Sequence, residues 1–374
     1  MSKNSHISAL NELGQSIWYD NLSRDVLNSG ELKSLIDSGV SGLTSNPTIF
    51  KNAIADSNSY DDEMRELVKQ GLSTDDICEE LMVRDVGMAA DLLRPIYDQT
   101  NGGDGHASIE VSPFLARDTA GTIEAAKRLW KKLNRPNIMI KIPATPEGIP
   151  AIRSCLEDGL NINVTLIFSR DVYTQVATAF IDAVEARAKR NQEINRIASV
   201  ASFFVSRVDA ICEKNFDQLL KDGKVKENDR DLFFGKIGIA NSKLAYEKFE
   251  ELFKGERFKD LRSKGCKVQR PLWASTGTKN PAFSPVMYVE ELAGKDTVNT
   301  MPPATLKALI SNANITGPKL HSGHDEAKQI ISGAKSMGIP FDQLMLELQD
   351  VGVKLFADSF KELLDSIENK RGRL

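Results

Sequence analysis

The sequence predicts an α/β chain, a (β/α)8 TIM barrel with extra helices at the N-terminus, between strands 2 and 3, and at the C-terminus. Three observations predict it. Eight short strand-like runs alternate with helical stretches, the order that makes a closed parallel sheet. Six of those runs are apolar on one face and carry an ionisable, amide or hydroxyl side chain on the other. The chain has 374 residues, the size of one barrel with insertions, and no linker divides it into two cores, so residues 1–374 are expected to form a single domain.

The strands are expected near residues 16–21, 42–46, 107–112, 138–143, 161–168, 197–205, 268–275 and 297–301. Between the second and third, Ser73-Thr74-Asp75-Asp76 reads as a capping box, after which Ile77, Leu81, Met88, Leu92 and Ile96 recur at helical spacing. Pro95 is expected to kink or end that element, and residues 59–98 to hold two inserted helices. Residues 171–190 and 238–254 are further helices, and 221–231, dense in charge and Gly, is an exposed loop or insertion. Over 341–370, Leu344, Leu348, Leu355 and Leu363 repeat among charges, which predicts a long amphipathic helix packed on the body.

Strand side chains alternate between faces, so the parity of each run can be read directly. In Ile138-Met139-Ile140-Lys141-Ile142-Pro143, the three isoleucines share one face and Lys141 points the other way. An amine in such a wall is costly unless it is used, and a buried amine can attack a carbonyl to form a Schiff base. Residues 160–168 place Asn161, Asn163 and Thr165 on one face, with Ile162, Val164 and Leu166 opposite. The other runs contribute Asp20, Asn46, Glu110 and Ser202. In a barrel of this kind the active site lies at the C-terminal strand ends, so these distant positions converge on one pocket.

Hydrophobic content of 41% and charged content of 27% are ordinary for a globular enzyme, and a net charge of −4 leaves no basic surplus for nucleic acid or anionic lipid. The start, residues 1–15, is polar, and no run approaches a membrane span, so a cytoplasmic protein is expected. Cys78, Cys155, Cys212 and Cys266 lie far apart without C-x-x-C spacing and are expected to be reduced and structural. His321 and His324 sit in a polar stretch leading into a helix and lack a third ligand nearby, so no metal site is expected. Gly102-Gly103-Asp104-Gly105 precedes a strand and does not follow one, which makes it a loop and not a dinucleotide fingerprint.

Together the strand ends resemble the transaldolase family, class I aldolases of the pentose phosphate pathway. The segments that carry the resemblance are Trp18-Tyr19-Asp20-Asn21-Leu22, Thr44-Ser45-Asn46-Pro47, Ile109-Glu110-Val111, Ile140-Lys141-Ile142-Pro143-Ala144-Thr145, Asn161-Ile162-Asn163-Val164-Thr165-Leu166 and Ser202-Phe203-Phe204-Val205-Ser206-Arg207. It runs from about Asp20 to about Pro303 through all eight strands in order, and the length and T-S-N-P-T motif suggest the longer bacterial branch. The resemblance implies no cofactor and phosphorylated sugars as the small-molecule partners, with the protein a monomer or a homodimer.

The resemblance also implies roles. Lys141 would attack C2 of a ketose phosphate, Asp20 would handle the C4 hydroxyl proton, and Glu110 and Thr165 would activate the water lost and regained at the imine. Asn46, Asn163 and Ser202 would hydrogen-bond the bound dihydroxyacetone unit, with Phe204 as a wall. Arg207 would bind the phosphate, joined by Ser275 and Lys279 from Trp273-Ala274-Ser275-Thr276-Gly277-Thr278-Lys279-Asn280, where the chain departs from the shorter relatives by an insertion and a Lys.

Each residue also has an ordinary reading. Asp20 could cap the turn 21–24, Glu110 could pair with a structural Arg, Asn46 before Pro47 is a normal turn dipeptide, Asn161 and Asn163 could tie strands together, and Arg207 could pair with Asp209. Two rival functions stand beside transaldolase. One is a fructose 6-phosphate aldolase-like lyase, which is expected to carry a Tyr near the Phe204 position. The other is a catalytically silent barrel used as a scaffold, which the retention of Lys141 and Asp20 speaks against.

Overall fold

The computed structural model describes residues 4–55 and 57–373. Eight parallel strands close into a barrel in chain order: β1 (Gln15–Tyr19), β2 (Gly42–Leu43), β3 (Ala107–Glu110), β4 (Ile138–Pro143), β5 (Ile162–Ile167), β6 (Ser199–Phe204), β7 (Arg270–Ala274) and β8 (Thr297–Met301). Closure comes from β1, which pairs with β2 on one side and along its whole length with β8 on the other. Each strand lies within the span that alternation predicts or begins one residue before it.

Parity separates the two sides of the barrel wall. Ile138, Ile140, Ile142, Ile162 and Val164 join the core between sheet and helices, whereas Trp18, Met139, Val200, Leu272 and Val298 belong to a second apolar cluster of inward parity. All ten are buried, and full burial of a side chain of this size is worth roughly 1.5–3 kcal/mol. The Trp18 indole needs Gly42 beside it, because a Cβ at that position would come within 2.4 Å of the ring.

Of the polar start over residues 1–15, residues 1–3 lie outside the described residues, and Ser5–Glu12 forms a helix whose first amides bond to the Asn4 side chain. The insertion after β2 contains Asp61–Lys69 and Thr74–Gln99, the second capped by Ser73, and also a helix over Pro47–Ala55. Pro95 does not end the long helix, which runs on to Gln99. Its ring sits on the exposed side, where water can satisfy the carbonyl one turn back, while Leu93 and Tyr97 stay buried. The final helix, Phe341–Arg371, buries Leu344, Leu348, Gly352, Phe356, Leu363 and Ile367. Leu355 points to solvent at 47% exposure, so the buried stripe passes through its neighbour Phe356.

The charged segment 221–231 closes the helix Ser206–Lys221 and leads into an exposed 3-10 turn, Glu227–Leu232. All four cysteines are buried free thiols. His321 lies 3.2 Å from Glu250, and His324 opens a helix with its ring against the Leu320 carbonyl. Among the described residues no helix is long and apolar enough to cross a membrane.

Candidate active site

Strand register brings the central groups together. Glu110 of β3 pairs with Lys141 of β4, and Lys141 pairs with Asn163 of β5, so a carboxylate, an amine and an amide stand side by side on the inner face. The Lys141 ammonium donates to the Ser45 carbonyl at 3.2 Å and lies 3.4 Å from Glu110 Oε2. That second distance makes an ion pair without a formed hydrogen bond, and Glu110 Oε2 has no donor among the described residues. Burial raises the Glu110 carboxyl above its ordinary range; Lys141 opposes the shift, and Asp20 adds to it.

Asp20 follows β1 and extends its ladder, donating its amide to the Met301 carbonyl at 2.8 Å. Its carboxylate accepts the Thr44 hydroxyl at 2.7 Å, and Thr44 in turn lies 2.6 Å from the Thr300 hydroxyl, which gives Asp20 a chain of hydroxyls from two neighbouring strand ends. Burial also raises Asp20, against the charges of Lys141 and Arg207 and the Thr44 hydrogen bond. The turn-capping duty that could explain Asp20 falls to Ser23, whose hydroxyl accepts from the Val26 amide.

Alternation along β5 breaks at the site. A bulge lies between Val164 and Ile167, and Leu166 has φ of +58°, a left-handed conformation that is costly for a residue with a branched side chain. Leu166 therefore does not share the outer face of Ile162 and Val164. Ile167 takes that place, and Leu166 joins the inner cluster. Beside the bulge, the Thr165 hydroxyl is buried on the wall of the pocket with no hydrogen-bond partner among the described residues.

The terminal helix is docked over this irregularity by residues at helical spacing. Gln349 donates to the carbonyls of Ala144 at 2.8 Å and Leu166 at 3.2 Å, just past β4 and within the bulge. Gly352 admits Leu166, since a Cβ there would meet its side chain at 2.8 Å. One turn on, the Phe356 ring centre lies 5.6 Å from the Lys141 nitrogen.

A cavity of about 650 Å³ opens at these strand ends. Asp20, Asn46, Lys141, Thr165, Ser202, Phe204, Arg207, Ser275 and Lys279 all line it. Two predicted residues stand behind the wall. Glu110 touches the cavity only through Lys141, and Asn163 is fully buried, donating to Ser108 and accepting from Ser202 at 2.7 Å. Asn163 thus orients Ser202 and does not face the cavity, and the strand-tying reading holds for it and for Asn161. Asn46 also caps the helix Pro47–Ala55 through the Ile49 amide.

Two cations mark one side. The Arg207 guanidinium lies over the Phe204 ring at 5.1 Å and, like Lys279, has no carboxylate within ion-pair distance among the described residues. Asp209, the partner in the ordinary reading of Arg207, instead accepts from Tyr288 and the Gly238 amide. Burial lowers Arg207, with Asp20 opposing the shift. Ser275, at φ +56°, lies 2.9 Å from the Ser206 hydroxyl at the same rim.

Four contributors escape the sequence reading. Thr44 and Thr300 sit at strand ends and could have been found by extending the parity rule to every strand; the Ser45 carbonyl and Phe356 depend on backbone path and helix docking, which no local pattern reveals. The arrangement pairs a buried amine with two carboxyl groups that burial biases toward the protonated form, under a rim of free cations. It suits attack on a carbonyl carried by an anionic substrate. No group of three or more His, Cys, Asp or Glu side chains that could hold a metal ion is found among the described residues.

Residues 17–367 match the family model described as Transaldolase/Fructose-6-phosphate aldolase. The match extends past Pro303 into the terminal helix that carries Phe356. Similar proteins named Transaldolase include one from Trichodesmium erythraeum, 43% identical over 99% of this chain and 98% of its own length, and one from Saccharopolyspora erythraea, 45% identical over 99% of both. Transaldolase 2 of Nostoc punctiforme is 43% identical over 99% of this chain and 98% of its own.

Proposed function

Because the chain belongs to the transaldolase/fructose-6-phosphate aldolase family, we propose that it is a transaldolase, moving a dihydroxyacetone unit from sedoheptulose 7-phosphate to glyceraldehyde 3-phosphate and so giving erythrose 4-phosphate and fructose 6-phosphate. The observation that carries the reading is the Lys141 amine at the barrel's C-terminal end, 3.4 Å from Glu110, in a cavity shared with Asp20.

The Lys141 ammonium first passes a proton to Glu110, its freed nitrogen adds to C2 of the ketose, and the carbinolamine loses its oxygen as water to leave a protonated imine. Glu110 donates the proton that this water carries away and takes one back on hydrolysis, with the free Thr165 hydroxyl holding the water in place; such acid–base work is typically worth about 10²–10⁴ in rate. Asp20 takes the C4 hydroxyl proton, the bond between C3 and C4 breaks, its electron pair moves into the enamine, and the aldose leaves as an aldehyde. A second aldehyde receives the enamine carbon, and Asp20 returns the proton to the new hydroxyl. Ser202 and Asn46 hold the three-carbon unit, Phe204 and Phe356 shield the enamine from water, and Arg207, with Ser275 and Lys279, holds the phosphate. The four buried free thiols support a cytoplasmic site of action.

The test is a product balance with fructose 6-phosphate as donor and erythrose 4-phosphate as acceptor. Stoichiometric sedoheptulose 7-phosphate and glyceraldehyde 3-phosphate, with no dihydroxyacetone released when the acceptor is withheld, is the expected result. Steady release of free dihydroxyacetone would make the protein a lyase of the fructose 6-phosphate aldolase kind.

A further inference from the structure

A second cavity, of about 560 Å³, opens at the opposite end of the barrel, beside the starts of β1, β3, β6, β7 and β8. Its volume falls within the range of small-molecule sites, roughly 300–1,000 Å³. The charge around it is one-sided. Arg262 reaches it from the helix Glu256–Ser263, Lys267 from the loop that follows, Arg270 from the first position of β7, Lys295 from the turn before β8 and Lys254 from the end of another helix, with Asp296 the one acidic lining residue. Five cations facing one carboxylate is the reverse of the balance of the whole chain, which carries −4.

These cations are poorly neutralised by the protein itself. Lys254 is paired with Glu250, and Arg270 has Asp104 at 3.5 Å with the Ser16 hydroxyl at 2.7 Å. Among the described residues, Arg262 and Lys267 hydrogen-bond to the backbone carbonyls of Phe253 and Asn195 and have no carboxylate in ion-pair range, and neither does Lys295. Burial lowers Lys267 below its ordinary range; Cys266 opposes the shift and the positive charge of Arg196 adds to it. His106, on the same wall, is pushed down to about 4 by burial and is neutral at pH 7. A concave, low-dielectric site lined by one sign of charge concentrates counter-ions of the other sign.

A fringe of solvated surface lysines would be scattered over a convex surface. Here cations from separate segments converge on one recess, and the edges of Phe249 and Phe253 give it an apolar side. We propose that this recess at the N-terminal end of the barrel is a second ligand site, which binds a compact anion bearing two or more phosphate charges, either free or as a small organic ester. It is separate from the site of Lys141 and does not depend on the reaction assigned there.

Calorimetric titration of the full chain with inorganic pyrophosphate and, separately, with fructose 1,6-bisphosphate tests this. The titrations use an Arg207→Ala background, so that the phosphate rim of the active site does not contribute. One-to-one binding is expected, weakened at least fivefold by Lys267→Ala and by Lys295→Ala. Because Lys295 is exposed, its variant should fold and, with Arg207 intact, keep the parent's transaldolase rate, which controls for misfolding. Tighter binding of pyrophosphate identifies the free anion as the ligand, and tighter binding of the bisphosphate identifies an ester. Binding of neither, or binding that Lys267→Ala and Lys295→Ala leave unchanged, overturns the proposal.

Discussion

Asp104, in the loop that leads into β3, and Glu110, the last residue of that strand, lie at opposite ends of the barrel, both buried, and they are treated in opposite ways by their surroundings. Asp104, at the N-terminal end, accepts hydrogen bonds from the Ser16 and Ser41 hydroxyls, from the Trp18 indole at 2.8 Å and from the Gly105 amide at 3.0 Å, with Arg270 beyond them. Glu110, at the C-terminal end, has one cation at 3.4 Å and an oxygen with no donor among the described residues. A saturated carboxylate is a staple that ties β1, the turn before β2 and the start of β7 together at the barrel floor. An unsaturated one costs stability while it waits for a proton or a water, and such incompleteness is expected where chemistry is done.

The largest effect that separates the two comes from removing each. Glu110→Gln should lower kcat by about 10²–10⁴ and leave the melting temperature unchanged or higher. Asp104→Ala should do the reverse, holding kcat per folded molecule while destabilising the fold by about 3 kcal/mol, because the buried Trp18 and Gly105 donors lose their acceptor. Paired thermal melts and steady-state rates decide it, and similar losses of stability in both variants would erase the contrast.

A smaller effect is expected at the rim. Arg207→Ala should raise KM for fructose 6-phosphate about 10–100-fold, the worth of a charge-assisted contact, and hardly change the slow reaction with unphosphorylated fructose. Equal losses with both donors would place Arg207 in bond making and not in phosphate binding.

The smallest effect is a pH dependence of stability. Burial raises Asp20 above its unfolded value of 3.8, so the native protein holds this proton more tightly than the unfolded chain does. Its contribution is therefore present at low pH and is lost as pH rises through the folded value. At pH 7 Asp20→Asn should melt above the parent, and the gap should close as pH falls toward 4. A gap that widens on acidification would mean that the native site favours the ionised form.

Much of this contrast was legible in the sequence, and the part that was not has a physical cause. Alternation alone places Lys141 on the inner face between isoleucines, and the strand-end rule gathers Asp20, Thr165, Ser202 and Arg207 around it. Parity cannot tell a wall residue from one standing behind the wall, so Asn163 reads like Ser202 although it only orients it. Nor does parity survive a bulge, which is why Leu166 and Ile167 exchange faces. Phe356 lies some 200 residues beyond Lys141 and reaches it only because Gln349 and Gly352 dock the terminal helix on β4 and β5. A helix with a regular leucine spacing does not announce that Phe356 will reach the Lys141 amine.

The central claim is that Lys141 is the amine that binds the sugar. Borohydride reduction in the presence of fructose 6-phosphate, followed by peptide mass mapping, tests it most directly. The expected result is one dihydroxyacetone-sized addition per chain, confined to the peptide that contains Lys141 and absent from Lys141→Arg. Labelling at the rim residue Lys279, or at Lys127, which is held 2.7 Å from Asp158 on the outer surface, would contradict it, as would full activity with no label at all.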